Sequence, residues 1–462
     1  MSPAGWAAVA LAAVAAVTLP SWLPGLVIAL RVRIFARVGG EQGVEVPGRE
    51  VSAQEFRKVY GHPAADGRSR GAALSDLFWY WLSPGPHVHQ EHLEPGPRYD
   101  DVARTTRQIL AGLSKDEWAE LVGRRIRGVL DELPASAPVH RVRLRDLMMP
   151  VWAEVYYEVV FRAPCPRHVR DLITGNADDV VSALKCTGLR HLERRARLTA
   201  YLRDRLAHDP PPVPLPATLS ADEQAYYLQG TFFNTAVVQM SEAMAHLLLA
   251  VATHREVQDR LSAGETRPGF LDGVIDETLQ HFPLFGVAHR VTSAEIPRAG
   301  RSPIPAGSVL LFNYPEYQRS GQGPFDPDRW LDADTRPAES IPFGIPANRP
   351  CPARGFAVLT MRVAAEETLR RFRLESSAQH TRSLPSRGPC LLVPRTGGPP
   401  GTPDRPRARL AAMRLADRWE GVGRSLVQLV LGTYMVWDAR RQGLCRNHFA
   451  ASGGSPTAAS GR

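Results

Sequence analysis

The segment from Ile341 to Phe356, with the sequence IPFGIPANRPCPARGF, carries a single cysteine in a loop rich in proline and glycine. A helical pattern follows from Phe356 to Phe372, so the loop can hold the Cys351 thiolate near the start of a helix. Backbone N–H groups and the helix dipole stabilise negative charge at such a position. Arg349 lies two residues before the cysteine, where it could pair with an anionic group of a ligand. The alternative interpretation is a structural loop with an inert, buried thiol.

A sulfur anion with a nearby cation for propionate groups is what a thiolate-bound haem requires. The segment resembles the cysteine loop of the cytochrome P-450 superfamily, whose usual form is F-x-x-G-x-R-x-C-x-G. The resemblance implies that Cys351 is the axial ligand of the haem iron, Arg349 a propionate-binding residue and Phe343 the aromatic position. The match is imperfect, because Phe343 lies one residue too far from the cysteine and Ala347 and Ala353 replace two glycines.

Two further arginines match propionate-binding positions of that family. One is Arg290, in the segment AHRVTS. The other is Arg107, in a predicted helix from Val102 to Leu113 that resembles the helix bearing W-x-x-x-R, although Ala103 stands at the tryptophan position. Arg107 could equally be a solvated residue of this helix.

The resemblance extends over roughly residues 41–396, because further motifs follow in the family's order. Glu277 and Gln280 occupy the positions of the E-x-x-R motif, and Arg329 in FDPDRW matches the arginine that pairs with the glutamate. In the family these residues form a buried ionic triad. Because Gln280 replaces one arginine, we expect a Glu277–Arg329 pair with an amide donor beside it.

A long helical pattern from Ala221 to Ala252 resembles the oxygen-binding helix of the family, which carries an acid and an alcohol that deliver protons. Counting forward from Ser220 places Val237 and Val238 at these two positions, and counting back from His254 places Val238 and Gln239 there. Neither register supplies the acid and the alcohol. Asn234, Thr235 and Gln239 lie nearby and could act through water. They could equally be polar residues that pack between helices.

The resemblance implies a mainly α fold, the helical prism of cytochrome P-450 with a small β region and haem b between two long helices. Three parts are predicted: a membrane anchor at 1–40, a haem domain at 41–396, and a linker with an amphipathic helix and a disordered tail at 397–462. Helical patterns and strand-like segments support this class, and they fall at 102–113, 117–133, 190–206, 221–252, 308–312, 372–375 and 390–393.

The chain from Trp6 to Leu30 carries no charge and is long enough to cross a bilayer as a helix, although Pro20 and Pro24 would kink it. Arginines follow immediately, beginning at Arg31, which places the bulk of the chain in the cytoplasm. A cleaved signal peptide would carry charge before the apolar stretch, and none is present. An apolar helix packed on the domain is the other alternative.

Near the carboxyl end, Arg409 to Arg441 shows helical periodicity, with apolar residues at spacings of three and four and arginines between them. This pattern is typical of a helix docked on the domain surface and also of an interfacial membrane helix. The sequence does not separate the two.

Composition excludes several classes of function. The net charge of +9 comes almost entirely from arginine, and no basic run is interleaved with aromatic residues as nucleic-acid binding requires. Five dispersed cysteines without a C-x-x-C pair disfavour a disulfide framework and a zinc site. His87, His89 and His92 have no matching fourth ligand, which disfavours a metal cluster there.

The function implied is a monooxygenase that inserts one oxygen atom from dioxygen into a lipophilic small molecule. The chain shows no flavin or iron–sulfur signature, so electrons would come from a separate redox partner, a reductase or a ferredoxin. The absent acid and alcohol favour an alternative, an enzyme that uses or rearranges a peroxide. The accumulated departures from the family pattern leave a third alternative, a non-catalytic haem protein.

Overall fold

The computed structural model describes residues 2–39, 43–69, 72–82, 93–135, 137–264, 267–319, 321, 323–395 and 406–451. The three histidines at 87, 89 and 92, the predicted linker at 397–405 and most of the predicted tail lie outside the described residues.

Helices form most of the described chain. They are α1 (Pro3–Gly39), α2 (Phe56–Tyr60), α3 (Ala73–Leu82), α4 (Pro97–Ala111), α5 (Lys115–Asp131), α6 (Leu144–Phe161), α7 (Arg167–Leu184), α8 (Leu192–His208), α9 (Ala221–Leu228), α10 (Val237–Thr253), α11 (Arg255–Ala263), α12 (Phe270–His281), α13 (Tyr314–Arg319), α14 (Ala357–Arg371), α15 (Pro406–Gln442) and α16 (Leu444–Ala451). A π-helix at Gln229–Ala236 joins α9 to α10. The mainly α fold class expected from the sequence is confirmed.

Helices α5, α6, α10 and α14 pack against one another and form the main bundle. A capping box starts α5: the Ser114 hydroxyl accepts from the N–H of Glu117, whose carboxylate accepts from the N–H of Ser114. The helix then buries Trp118, Val122 and Ile126 against its neighbours. Each such side chain contributes about 1.5–3 kcal/mol of hydrophobic stabilisation, so this bundle is the rigid base of the protein.

The β region described consists of two three-stranded sheets. Their strands are β1 (Val44–Val46), β2 (His140–Arg143), β3 (Val287–Val291), β4 (Val309–Asn313), β5 (Phe372–Glu375) and β6 (Pro389–Pro394). In the first sheet, β4 pairs parallel with β1 and antiparallel with β3. In the second, β6 pairs antiparallel with β2 and β5. A second apolar cluster, which includes Phe56, Tyr60 and Phe312, packs α2 onto the first sheet.

The helices and strands predicted from periodicity are present, with ends shifted by a few residues. Helix α6 was not predicted, because 13 of its 18 residues are buried and it therefore shows no clear apolar stripe. Strand β2 was not predicted either. Its alternating arginines resemble a solvated loop, and only its pairing with β6 makes it a strand.

The two ends of the chain pack together, because α1 lies against α15 and α15 lies against α3. The segment Ala13–Arg31 of α1 is mostly exposed and is long and apolar enough to cross a membrane. The segment Ala221–Thr253 has similar hydropathy but is 83% buried, as expected of a core helix. At the carboxyl end, the buried Asp76 carboxylate accepts from the backbone N–H groups of Cys445 and Arg446, so α3 supplies the N-terminal cap of α16.

Candidate active site

Cys351 lies in the loop before α14, six residues from the first residue of that helix. Its N–H donates to the carbonyl of Phe343 at 3.0 Å, and its carbonyl accepts from the N–H of Arg354 at 3.3 Å. The cysteine is half-buried, and Phe343 packs against the main core. Because the backbone of Cys351 is bonded on both sides within its own loop, its position relative to α14 is well defined.

The loop is attached to the rest of the protein through Asn348, which the sequence did not single out. This buried side chain donates through Nδ2 to the carbonyls of Tyr60 at 2.9 Å and Ala65 at 2.8 Å. Gly344 adopts a φ of 72° against the Tyr60 hydroxyl, where an added Cβ would lie 3.1 Å from that oxygen. Glycine is therefore required at this position by both backbone conformation and space.

Arg349 points away from its own loop and bonds two separate segments. Its Nε donates to the carbonyl of Asp66 at 3.2 Å, and its Nη2 donates to the carbonyl of Leu93 at 2.7 Å. Its guanidinium also lies 4.0 Å from the centre of the Tyr99 ring, at the start of α4. Carbonyl contacts do not neutralise the guanidinium charge, so Arg349 keeps the ability to attract an anion.

Arg290 on β3 is a buried cation. It is 4% exposed, its Nε has no hydrogen-bond partner among the described residues, and its guanidinium lies 5.6 Å from the centre of the Tyr60 ring. A neighbouring buried arginine, Arg68, donates to the carbonyl of His289 at 3.0 Å. Burying a cation that has no acidic partner among the described residues is costly, so an anion of a ligand would fit this site.

The third propionate candidate, Arg107, is placed differently. Its side chain is exposed on α4, whereas Ala103 and Thr106 on the same helix are buried. The hydroxyl of Thr106 bonds the hydroxyl of Tyr227 on α9 at 2.8 Å, so this inner face of α4 is the one that contacts the long helix. Of the three candidate arginines, Arg107 therefore receives the least support from its position.

The expected pairing of Glu277 with Arg329 is present, in a network larger than the sequence indicated. Oε2 of the fully buried Glu277 accepts from Arg329 Nε at 2.8 Å and from Trp330 Nε1 at 2.6 Å. Oε1 accepts from the N–H of Asp326 at 2.8 Å and from His281 Nε2 at 3.0 Å. Burial raises the pKa of Glu277, but donation from His281, Asp326 and Trp330 outweighs it, so the pKa lies below its ordinary value of 4.5.

The expectation that Gln280 would donate to this pair is wrong. Its Nε2 donates to the carbonyl of Gln318 on α13 at 3.0 Å, and its Oε1 accepts from Gln318 Nε2 at 3.2 Å. The two buried glutamines therefore bind each other and connect α12 to α13. In place of the second arginine of the family motif, His281 and Trp330 donate hydrogen bonds to Glu277. The sequence did not identify these two residues as partners.

The long helix carries its candidate residues at a change of helical type. Asn234 and Thr235 lie inside the π-helix Gln229–Ala236, and Gln239 lies one turn beyond it in α10. Thr235 and Gln239 are half-buried. π-helical turns within α-helices are frequent at functional sites, because they displace side chains and loosen the backbone hydrogen bonding. Nothing in the sequence predicted this segment.

Asn234 is held in place by Asn176 on α7, a residue that the sequence did not single out. Its Oδ1 accepts from Asn176 Nδ2 at 3.0 Å, and its own Nδ2 is buried without a hydrogen-bond partner among the described residues. The hydroxyl of Thr231, on the same π-helix, is in the same situation. Two buried polar groups without protein partners indicate a position for water or for a polar ligand atom.

Helix α6 places Tyr156 near the cysteine. Burial raises the pKa of Tyr156, and the charge of Cys351 raises it further. The Tyr156 ring lies 6.3 Å from that of Phe232 in the π-helix, measured between ring centres. Tyr156 thus stands close to both the cysteine loop and the long helix.

These residues fit a haem with a thiolate ligand. The donor set offers one thiol before a helix, and the buried Arg290 lacks the anion that a propionate would supply. Arg290, Arg349 and the cysteine loop all contact residues 60–69, which brings the cations and the thiol into one region.

Comparisons with known proteins agree with this geometry. Residues 217–398 match the family model described as Cytochrome P-450. The chain is similar to the putative cytochrome P-450 135B1 of Mycobacterium tuberculosis, with 29% identity over 182 residues, which is 35% of this chain and 37% of that protein. It is also similar to the cyclooctat-9-en-7-ol 5-monooxygenase of Streptomyces melanosporofaciens, with 30% identity over 141 residues, which is 25% of this chain and 29% of that protein. The matched region thus spans well under half of these relatives.

Among solved structures, the ligand-free cytochrome P-450 OleT is similar to this chain with a TM-score of 0.61 at 15% sequence identity. The similarity covers 74% of this chain and 87% of that protein. At this identity the likeness establishes the fold, including the arrangement of helical bundle and small sheets that the sequence predicted.

We expect Glu277→Ala to lower haem content strongly, because it strands Arg329 and releases the segment before the cysteine loop. Breaking a buried pair of this kind costs about 3–5 kcal/mol of folding stability. The measurements are haem per protein in the purified enzyme and urea unfolding. The control is Asp328→Ala, which removes the half-exposed Arg260–Asp328 pair next to it and costs about 0–1 kcal/mol. Equal haem content in both variants contradicts the assignment.

The same carboxylate makes stability dependent on pH. Because the pKa of Glu277 is below 4.5 in the folded protein, its contribution is present above pH 4.5 and is lost as pH falls through the folded pKa. Glu277→Gln removes this contribution and leaves the other acid-sensitive groups. When the free energy of unfolding is measured against pH, it should therefore fall less steeply below pH 4.5 in this variant than in the parent protein.

We expect Arg290→Met to release haem roughly ten- to hundredfold faster, because a hydrogen bond to a charged group contributes about 1.5–3 kcal/mol. The apoprotein of this variant should be as stable as the parent or more stable, since a buried cation without an acidic partner is gone. Transfer of haem to apomyoglobin and urea unfolding of apoprotein measure the two effects. Arg107→Met is the matched control, because Arg107 is exposed. Faster haem release from Arg107→Met, with unchanged release from Arg290→Met, would contradict the assignment of Arg290 and favour Arg107.

Proposed function

The chain is a divergent member of the cytochrome P-450 superfamily, and from this we propose that it is a haem-thiolate monooxygenase. It inserts one oxygen atom from dioxygen into a lipophilic small molecule, with electrons from a separate reductase or ferredoxin. The observation that carries the haem assignment is the combination of Cys351 before α14 with Arg290, a buried cation whose Nε has no hydrogen-bond partner in the described part of the chain.

In this proposal haem b would be held by residues of two segments, β3 and the cysteine loop. Cys351 would supply the thiolate ligand, Arg290 and Arg349 would bind the propionates, and Phe343, which packs against the core, would support the loop. When bound, a haem with a thiolate ligand supplies the activation of dioxygen or peroxide, because electron donation from sulfur favours cleavage of the O–O bond.

In this proposal, residues of the π-helix deliver protons. The Asn234 amide is fixed by Asn176, so its buried Nδ2 can donate a hydrogen bond to a water molecule without first breaking another bond. An amide does not titrate, so Asn234 orients a water molecule and the proton moves through water and the Thr235 hydroxyl. Gln239, one turn further along, can extend this chain of hydrogen bonds.

Electron supply and location follow from the rest of the chain. The Streptomyces relative is named as a monooxygenase, and that name supports the same reaction class here. A monooxygenase without its own flavin or iron–sulfur cluster takes electrons from a partner protein.

We propose that α1 anchors the protein in a membrane with the haem domain on the cytoplasmic side, where the arginines that follow the apolar segment are retained. A membrane location suits a lipophilic substrate.

The second candidate function is an enzyme that uses or rearranges a peroxide. One observation favours it: Val237 and Val238, which stand at the positions expected for the acid and alcohol, are buried and apolar, and the nearby Asn234 is an amide. Peroxide already carries the electrons and protons that a reductase pathway must deliver. A non-catalytic haem protein is the third candidate, and it predicts no product with any oxidant.

The first test is the carbon monoxide difference spectrum of the dithionite-reduced protein. We expect a strongly red-shifted Soret band, which is lost in Cys351→Ala. Cys165→Ala is the control, because Cys165 is a half-buried thiol in the segment between α6 and α7. A band that persists without Cys351, or a protein that binds no haem, contradicts the proposal.

The oxidant is tested with lipophilic substrates under two conditions, reductase with NAD(P)H and dioxygen, or hydrogen peroxide alone. We expect product with the reductase system, and we expect Asn234→Ala to lower product formed per NAD(P)H consumed roughly tenfold. Peroxide-driven turnover of that variant should change little. Product with peroxide alone supports the second function, and failure of both oxidants on haem-loaded protein supports the third.

A further inference from the structure

Helix α15 presents an apolar surface to solvent along most of its length. Its outer side carries seven large apolar or aromatic residues that are 41–67% exposed, here called the α15 stripe: Leu415, Trp419, Leu426, Val427, Val430, Tyr434 and Trp437. They recur mainly at spacings of three and four and therefore lie on one side of the helix. Single exposed apolar residues are ordinary on a protein surface, but a continuous row of seven is not.

The opposite side of α15 is attached to the domain through its acidic residues. Asp417 and Glu420 both pair with Arg143, the last residue of β2. The buried Asp438 accepts from the Tyr80 hydroxyl on α3 at 2.8 Å. Buried Met435 and Ala439 pack in the same cluster as Tyr80. The negative charges of α15 thus face the protein.

Positive charge remains on the outer side at both ends of the stripe. Arg414 and Arg418 are exposed at its start, and Arg441 is exposed just beyond its end. Trp419 lies one turn after the start of the stripe and Trp437 at its end, about 27 Å apart at 1.5 Å per residue. Tryptophan and arginine in this arrangement are typical of surfaces that contact lipid headgroups, and arginine favours anionic lipids.

The apolar segment of α1 ends beside α15. Arg31, the last residue of Ala13–Arg31, donates through Nη1 to Oε1 of Gln428 at 3.4 Å, and Val27 is buried. Gln428 is half-buried on the inner side of α15, where its Nε2 donates to the carbonyl of Lys185 at 2.8 Å. A bilayer that takes up α1 as far as Leu30 would therefore lie close to α15 at the level of Leu426 and Val430, which face outward one turn apart.

We propose that the α15 stripe lies in the interfacial region of an anionic bilayer, as a second membrane contact beside α1. Because the inner side of α15 is bonded to the domain, the helix lies along the membrane surface with only its outer side in lipid. The domain is then held in one orientation on the bilayer. This inference rests on the proposed anchoring of α1 in a membrane, and it does not depend on the oxidant or the substrate.

The experiment uses full-length protein reconstituted in nanodiscs of phosphatidylcholine with phosphatidylglycerol, in which some acyl chains carry a diazirine. After illumination, mass spectrometry locates the lipid adducts. We expect adducts on α1 and on outer residues 415–437 of α15, with several-fold lower labelling of exposed α8 (Leu192–His208). Labelling of α15 should fall when phosphatidylglycerol is omitted, while labelling of α1 remains.

Two variants test the stripe directly. Leu426→Glu with Val430→Glu places two carboxylates in the stripe and should abolish adducts on α15 while those on α1 remain. The matched control is Ala196→Glu with Ala200→Glu, which makes the same exposed pair four residues apart on α8 and should leave α15 labelling unchanged.

Adducts confined to α1 in the parent protein overturn the proposal, whatever the variants do. Chemical cross-links between the α15 helices of two chains, in place of lipid adducts, would assign the stripe to a second copy and also overturn it. Protection of the stripe only when a redox partner is added would assign it to that partner, with the same consequence.

Discussion

The buried carboxylate of Glu277 is the interaction on which the site depends. Four donors converge on its two oxygens, from α12 itself and from the segment that runs toward the cysteine loop. A buried charge persists only when its surroundings supply such donors, so α12 and residues 326–330 must keep their relative position. The cysteine loop begins about ten residues after Trp330, so the position of its first residues depends on this attachment. Loss of the carboxylate therefore affects the site although Glu277 does not lie in the loop.

A second constraint is the buried positive charge near residues 60–69. Tyr60 contacts the cysteine loop through its carbonyl and ring hydroxyl, and its ring faces the guanidinium of Arg290. The same short region therefore sets the distance between the thiol and the buried cation of Arg290. An anionic cofactor such as haem would stabilise this arrangement twice, through the sulfur ligand and through its propionates. Folding and cofactor binding are expected to be strongly coupled here.

The distribution of charge on α15 suits the proposed contact between the domain and a membrane. Its acids pair inward with Arg143 and Tyr80, while its outer face keeps arginines and an apolar row. Helix α3 contacts both α15 and α16. A membrane contact at α15 would therefore act on the domain through α3.

The amino-acid sequence alone was sufficient to predict the fold class and the order of the motifs. The cysteine loop, the Glu277–Arg329 pair and the helical pattern of the carboxyl end are local or follow a familiar spacing, and each could be predicted. The hydrogen-bond partners of several side chains depend on the tertiary structure. Gln280 bonds Gln318 and not the ionic pair, Asn348 attaches the loop, and Asn176 orients Asn234, because each contact joins residues at least 38 positions apart. Such contacts, like the π-helix and the exposure of Arg107, depend on how helices pack, which local pattern does not encode.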